Sequence, residues 1–139
     1  MGRVTTEATI RNLNDLLEAA QGKLPEDQIR KVEVSSALVD TGAWSLSLPT
    51  SLIRKLGLIK LATKQVMTSK GPSTSDVYAA ARLTIQGRDC SLDVTEVPDG
   101  VPVLIGQIPL ELLDFVVDPK SQRLIGNPEH GGEHVLEMY

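Results

Sequence analysis

Asp40 ends a run of small and apolar residues, Ala37-Leu38-Val39, and is followed at once by Thr41 and Gly42. A charge at the end of a core-like run is costly unless it is hydrogen-bonded or used. Gly42 allows a close approach that a side chain would block, so neighbouring N–H groups can reach the carboxylate. The bland reading is an acid that caps a turn, as in ordinary Asp-Thr-Gly loops. Phosphoryl chemistry fits poorly. Aspartyl-phosphate hydrolases pair two acids within the motif or precede Thr-Gly with Lys, whereas Val39 precedes Asp40 here. No P-loop or dinucleotide glycine motif occurs.

Other reactive types are fewer. Glu129, His130, Glu133 and His134 have the chemistry of metal ligands, but Gly131-Gly132 interrupts them. Two glycines discourage the helix that would bring i and i+4 together, and the order is not that of a zinc-protease motif. A solvated tail is the expectation, with no metal and no cofactor. Cys90 is the single cysteine, so no intrachain disulfide can form, and it is expected to be packed within a strand. Trp44 has two readings: it lines a subsite beside Asp40, or it shares parity with Leu46 and Leu48 and packs in the core. Arg54, Lys55, Lys120 and Arg123 read as solvated charge.

The elements around Asp40 are mostly strands. Arg3 to Arg11 alternates, with Val4, Thr6, Ala8 and Ile10 on one face. Leu13, Leu16, Leu17 and Ala20 fall at helical spacing before Gly22. Val32 to Asp40 is β-rich, Leu46 and Leu48 continue as a strand, and Pro49 breaks it. Thr50 or Ser51 is expected to cap a short helix carrying Leu52, Ile53 and Leu56, closed by Gly57. Two hairpins follow, turning around Ser69-Lys70-Gly71-Pro72-Ser73 and Gln86-Gly87-Arg88-Asp89. An apolar strand then runs into Gly106, a helix covers about Pro109 to Phe115, and a strand stops at Pro119. A last strand is expected over His134 to Tyr139. The segments around Asp40 and Gly106 share an order: apolar strand, glycine turn, then a leucine-rich helix that starts near a proline.

With 14 basic against 18 acidic residues, net charge −4 and the cations scattered, there is no basic face for nucleic acid. No apolar run approaches bilayer length, so no membrane partner is expected, and a lone cysteine fits a reducing, cytoplasmic setting. The start Met-Gly-Arg-Val-Thr-Thr fits the loose N-myristoylation pattern through Gly2 and Thr6, but strand alternation is the preferred reading there. The 139 residues read as one domain, 1–139.

Asp40-Thr41-Gly42-Ala43 with its apolar lead-in resembles the active-site motif of retropepsin-like aspartic proteases, the retroviral type in a bacterial single-domain form. Leu104-Ile105-Gly106 and its helix resemble the turn that closes the other side of that site. The resemblance covers nearly the whole chain. It implies an all-β, acid-protease closed β-barrel with one or two short helices and a single lobe per chain. It also implies an aspartic endopeptidase acting on a peptide or protein substrate. Two neighbouring carboxylates that share one proton can activate water and protonate the substrate carbonyl. This chain has one Asp-Thr-Gly, so the dyad must pair Asp40 with that of a second copy in a homodimer. Thr41 would link the two loops, and the 68–76 hairpin would be the flap. Substrate-binding residues would be Ala43, Trp44, Ser69, Lys70, Gly71, Pro72 and Gly106. Val4–Ile10 and Val135–Tyr139 would supply interface strands. Retroviral flaps carry several glycines at the tip, where this hairpin has Gly71 followed by Pro72. The competing reading is an inactive protease-like domain that dimerises or binds peptides.

Overall fold

The computed structural model describes residues 3–138. Gly2 of the acylation pattern and Tyr139 of the expected last strand lie outside them. The first strand, β1 (Thr5–Asn12), pairs antiparallel with β2 (Lys31–Val39), and α1 (Leu13–Ala20) lies between them in sequence. Then come β3 (Leu46–Pro49), α2 (Thr50–Leu56) and the long hairpin of β4 (Ile59–Thr68) and β5 (Gly71–Ile85). After these follow β6 (Arg88–Val97), β7 (Leu104–Ile105), α3 (Gln107–Leu113) and a small hairpin of β8 (Phe115–Asp118) and β9 (Arg123–Gly126).

Strand order is β1-β2-β7-β3-β6-β5-β4, and β1 also pairs with β5. Six strands therefore close into a barrel, with β4 attached outside it through β5 alone. Closure removes exposed sheet edges, so only β4 carries a free edge in this sheet. The barrel bears out the all-β expectation. Its interior is filled by Ile10, Leu46, Leu48, Leu83, Val94 and Ile105, each at most 2% exposed. Leu56 of α2 and Leu110 and Leu113 of α3 are buried against the same core. The β5–β6 turn places Gln86 and Gly87 at φ 48° and 77°, the double positive φ that a tight type I′ hairpin needs.

Several expectations are corrected. Among the described residues three α-helices form, not one or two. The buried member of α1 is Asp15, not its leucines, and Leu17 is 51% exposed. Arg30 explains this, donating to Asp15 from Nε at 2.9 Å, from Nη2 at 3.0 Å and from its backbone N–H at 3.0 Å. Helix α2 is not capped by its own Thr50 or Ser51. Instead Asp99, from the loop after β6, accepts the Ser51 N–H at 2.9 Å. Helix α3 starts and stops two residues before the expected span, because Asp114 takes the left-handed conformation at φ 58°. Strand β9 had no sequence expectation, and residues 134–138 form no strand.

Candidate active site

Strand β7 is inserted between β2 and β3, parallel to one (Val39 beside Ile105) and antiparallel to the other (Leu46 beside Ile105). The connection from β2 to β3, residues 40–45, must therefore wrap around the end of β7. Four backbone bonds fix it there. Asp40 N–H donates to Ile105 O at 3.0 Å, and Gly106 N–H to Ser45 O at 3.0 Å. Gln107 N–H donates to Ala43 O at 2.8 Å, and Ile108 N–H to Trp44 O at 2.9 Å. The contact is so close that a Cβ on Gly106 would lie 2.7 Å from Ala43 O, Ser45 O and Trp44 C. Glycine is required at 106 by space, not by φ, which is −90°.

On this fixed loop the Asp40 side chain is exposed. Its Oδ1 accepts the Gly42 N–H at 2.9 Å, and Oδ2 has no partner among the described residues. A Cβ on Gly42 would press on Oδ1 at 3.2 Å. Thr41 is also exposed. Asp40 and Thr41 line an open cavity of about 410 Å³ together with Arg3, Val4, Leu38, Val39 and Val117. Arg3, Val4 and Val117 were not foreseen there. The β1 lead-in reaches the site because Val39 N–H donates to Val4 O at 2.9 Å.

Trp44 does not pack in the core. It is 74% exposed, because β3 starts only at Leu46 and strand parity does not extend back into the loop. It lines a second cavity, of about 360 Å³, with Val66 of β4, Val77, Leu92 and Ile108. Val66 and Ile108 were missed in the sequence, where the only signal was an apolar residue straight after the Gly106 turn. Among the described residues, the N–H groups of Trp44 and Ser45 find no backbone partner.

Beyond its pairing with β6, the β4–β5 hairpin stands off the barrel, and Val66 is the one half-buried residue of β4. At its tip Ser69 and Lys70 form a two-residue turn, Gly71 has φ 107°, and Thr68 Oγ1 donates to Gly71 O at 2.9 Å. Ser69, Lys70 and Pro72 are exposed, and none of residues 69–72 lines the cavity at Asp40. A third cavity, of about 560 Å³, lies between this hairpin and the end of β6, with Thr50, Val66, Thr68, Asp76 and Glu96 among its walls.

The other reactive residues serve the scaffold. Cys90 is buried, and burial pushes its thiol up to about 11. His130 is not a solvated tail residue. Its Nδ1 meets Asp114 Oδ2 at 2.6 Å and its Nε2 meets Glu137 at 3.2 Å. Asp114 also accepts from Asn127 Nδ2 at 3.1 Å and from Val135 N–H at 3.1 Å. Burial alone would push Asp114 up, but these donors outweigh it and the carboxyl lies at about 2. The Asp114 and Glu137 contacts raise His130. Arg54, Lys55, Lys120 and Arg123 are exposed as expected.

The aspartyl protease family model matches residues 27–108, more than half of the chain. The chain belongs to the aspartyl protease family. The matched span runs from just before β2 to Ile108, so it takes in the Asp40 loop, the long hairpin and the Gly106 turn. No curated protein matches the sequence. Among solved structures, the solution structure of Simian Foamy Virus (mac) protease matches with a TM-score of 0.48 and 21% identity, over 78% of this chain and 93% of that chain. No helix among the described residues is long and apolar enough to cross a membrane.

Proposed function

We propose that residues 1–139 act as one retropepsin-like domain and that two copies form an aspartic endopeptidase, with Asp40 of each chain as the dyad. The observation that carries this reading is the Asp40 loop itself. Its backbone is fixed at four points to the Gly106 turn, while its carboxylate is exposed with one oxygen unpartnered. In a family of aspartyl proteases, a rigidly mounted, half-satisfied carboxylate is half of an acid–base pair.

In the pair, the ionised Asp40 takes a proton from water as its oxygen attacks the scissile carbonyl. The protonated Asp40 gives its proton to the carbonyl oxygen. The resulting gem-diol collapses as a proton passes to the leaving nitrogen, and the shared proton is restored. Such a dyad titrates with values that belong to the pair. Thr41 and Gly42 shape the loop, and the Gly42 N–H orients one carboxylate oxygen. An extended substrate would add as a strand beside Ala43–Ser45, using the free N–H groups of Trp44 and Ser45, with the hairpin tip at Ser69–Pro72 closing from the other side.

The two-fold axis would pass beside Asp40, so Arg3, Val4, Thr41 and Val117 would face the partner. Strand β8, which contributes Val117, would then stand at the interface.

The test is cleavage of a peptide mixture between pH 3 and 7 by wild type and Asp40→Asn. The expected result is cleavage by wild type that rises more steeply than linearly with protein at low concentration and vanishes in the variant. Equal cleavage by both proteins would overturn the role of Asp40. An intact wild-type dimer that cleaves nothing across this range would leave a peptide-binding or dimerisation domain.

A further inference from the structure

The segment after β9 is held to the barrel by a cluster around Asp114, the buried residue that ends α3. Asp114 accepts from Asn127 Nδ2 at 3.1 Å and from Val135 N–H at 3.1 Å, and its Oδ2 meets His130 Nδ1 at 2.6 Å. In addition, His134 Nε2 lies 3.0 Å from Leu112 O, and Arg88 of β6 donates to Gly132 O. Residues 127–135 are thus tied down at several points. Residues 136–138 are not. Among the described residues their one polar contact is Glu137 Oε1 to His130 Nε2, at 3.2 Å. Packing adds little there, because Leu136 is 58% exposed and Met138 90%.

His130 therefore stands between two carboxylates, one on each ring nitrogen. The other charged groups around it are Arg88, whose guanidinium is spent on the carbonyls of Leu113, Asp114 and Gly132, and Glu129, Glu133 and His134 of its own segment, all exposed. Only the imidazolium has an N–H on both nitrogens. A neutral ring has one, and the two carboxylates compete for it. Asp114 keeps it, being buried and the closer at 2.6 Å, whereas the Glu137 carboxylate is exposed and water can solvate it. The proton lost is then the one on Nε2, which leaves a lone pair aimed at the Glu137 oxygen. Two acceptors face each other there, and that contact opens.

We propose that His130 is a proton-operated latch: with its ring charged, residues 136–138 lie against the barrel, and with its ring neutral they detach while residues 127–135 stay in place. The contacts with Asp114 and then Glu137 raise His130, so the latch opens above the ordinary value of 6.5. A contact that raises a group in this way acts in full below the unpaired value and fades above the paired one. Asp114 lies at about 2 and stays ionised throughout, so it does not release the segment in the same range. The latch is closed in acid and opens toward alkaline pH. Opening it frees an end with apolar and acidic character, Leu136-Glu137-Met138, without unfolding the rest.

The latch needs no catalysis, so it is tested on Asp40→Asn protein, where self-cleavage is absent and the clasp is untouched. NMR follows the His130 ring carbons together with the Val135, Leu136 and Met138 methyl groups between about pH 5 and 9. The Leu136 and Met138 methyls are expected to pass from restrained to free with the midpoint of His130, while those of Val135 do not change. The contact is partly exposed, so the ratio of docked to free should fall roughly fivefold. Glu137→Gln gives the sharper result. Its side chain is exposed, so the variant disturbs no packing, and its amide can donate to the neutral ring. Residues 136–138 should then stay docked across the whole range, whereas in Glu137→Ala they should be free at every pH. Methyl groups that ignore the His130 midpoint in the parent would overturn the proposal. So would release of Glu137→Gln at that midpoint, or residues 136–138 that stay docked in Glu137→Ala. Loosening of Val135 together with Met138 would overturn it as well, because the whole segment would then be moving.

Discussion

Replacing Gly106 by alanine tests whether the Asp40 loop is held by close packing against the turn after β7. The added methyl would meet three backbone atoms, Ala43 O, Ser45 O and Trp44 C, each at 2.7 Å. Ordinary contact for such atoms begins near 3.4 Å, so each must retreat by about 0.7 Å, and backbone cannot rotate away as a side chain can. The retreat pulls directly on the bonds from Gly106 N–H, Gln107 N–H and Ile108 N–H to Ser45, Ala43 and Trp44. Overpacking of this kind costs about 1–3 kcal/mol, and losing one of those bonds adds roughly 1 kcal/mol. The expected loss is therefore about 2–4 kcal/mol, read as a lower urea midpoint with unchanged m-value. Gly42→Ala is the control. Its methyl meets only the Asp40 carboxylate oxygen, at 3.2 Å, so its stability cost should stay within about 0.5 kcal/mol while any activity falls. A Gly106→Ala protein within 0.5 kcal/mol of wild type would refute the claim that this turn fixes the loop.

Three further outcomes are expected. Val117→Lys places a cation beside Arg3 and next to its own symmetry mate, so sedimentation should show monomer, and activity should fall with it; a stable dimer would exclude this face as the interface. Dimers of wild type should weaken as pH rises past the upper titration of the dyad, whereas Asp40→Asn should show no such trend; parallel behaviour of both would mean that Asp40 is not at the axis. The third concerns the clasp on the C-terminal segment. Asp114 is depressed to about 2 and so supports the fold above its ordinary value near 3.8, losing that support as pH falls toward 2. His130 is raised, so its support is full below 6.5 and fades as pH rises through its folded value. NMR titration of His130 should return toward 6.5 in Asp114→Asn, and an unmoved titration would mean that Asp114 is not its main partner.

The sequence carried the local chemistry and lost most of what depends on closure. Alternation in residues 4–10 and the turn residues at 69–73 and 86–89 announced the strands correctly, because period-2 burial and positive φ are local properties. The Asp40 and Gly106 motifs were legible for the same reason. Their mutual contact was not, since four backbone bonds across more than sixty positions leave no periodicity. Trp44 shows how parity misleads: the strand it seemed to belong to begins two residues later. Asp15 and Asp99 show another limit, because the donors that justify them lie on other segments, Arg30 and the α2 N-terminus. Val66 had no motif at all; the fold places it in the wall of two cavities beside the long hairpin.

The carboxylate that looked costly at the end of a core strand turns out to be tolerable for a specific reason. Asp40 follows β2 and stands clear of the barrel interior, so a lone chain bears little desolvation penalty for its charge. Backbone, not side chain, does the holding, which leaves the second oxygen open. In the dimer proposed above the penalty would arise only when a second copy brings a like charge against it, and one proton would then have to be retained by the pair. Proton binding and association are thus linked with a fixed sign: a group that holds its proton more tightly in the dimer makes the dimer tighter as pH falls. A protease built this way would have its alkaline limb set by the interface rather than by either chain alone. Changes at Arg3, Val4 or Val117 should therefore move its pH profile without touching the reacting atoms.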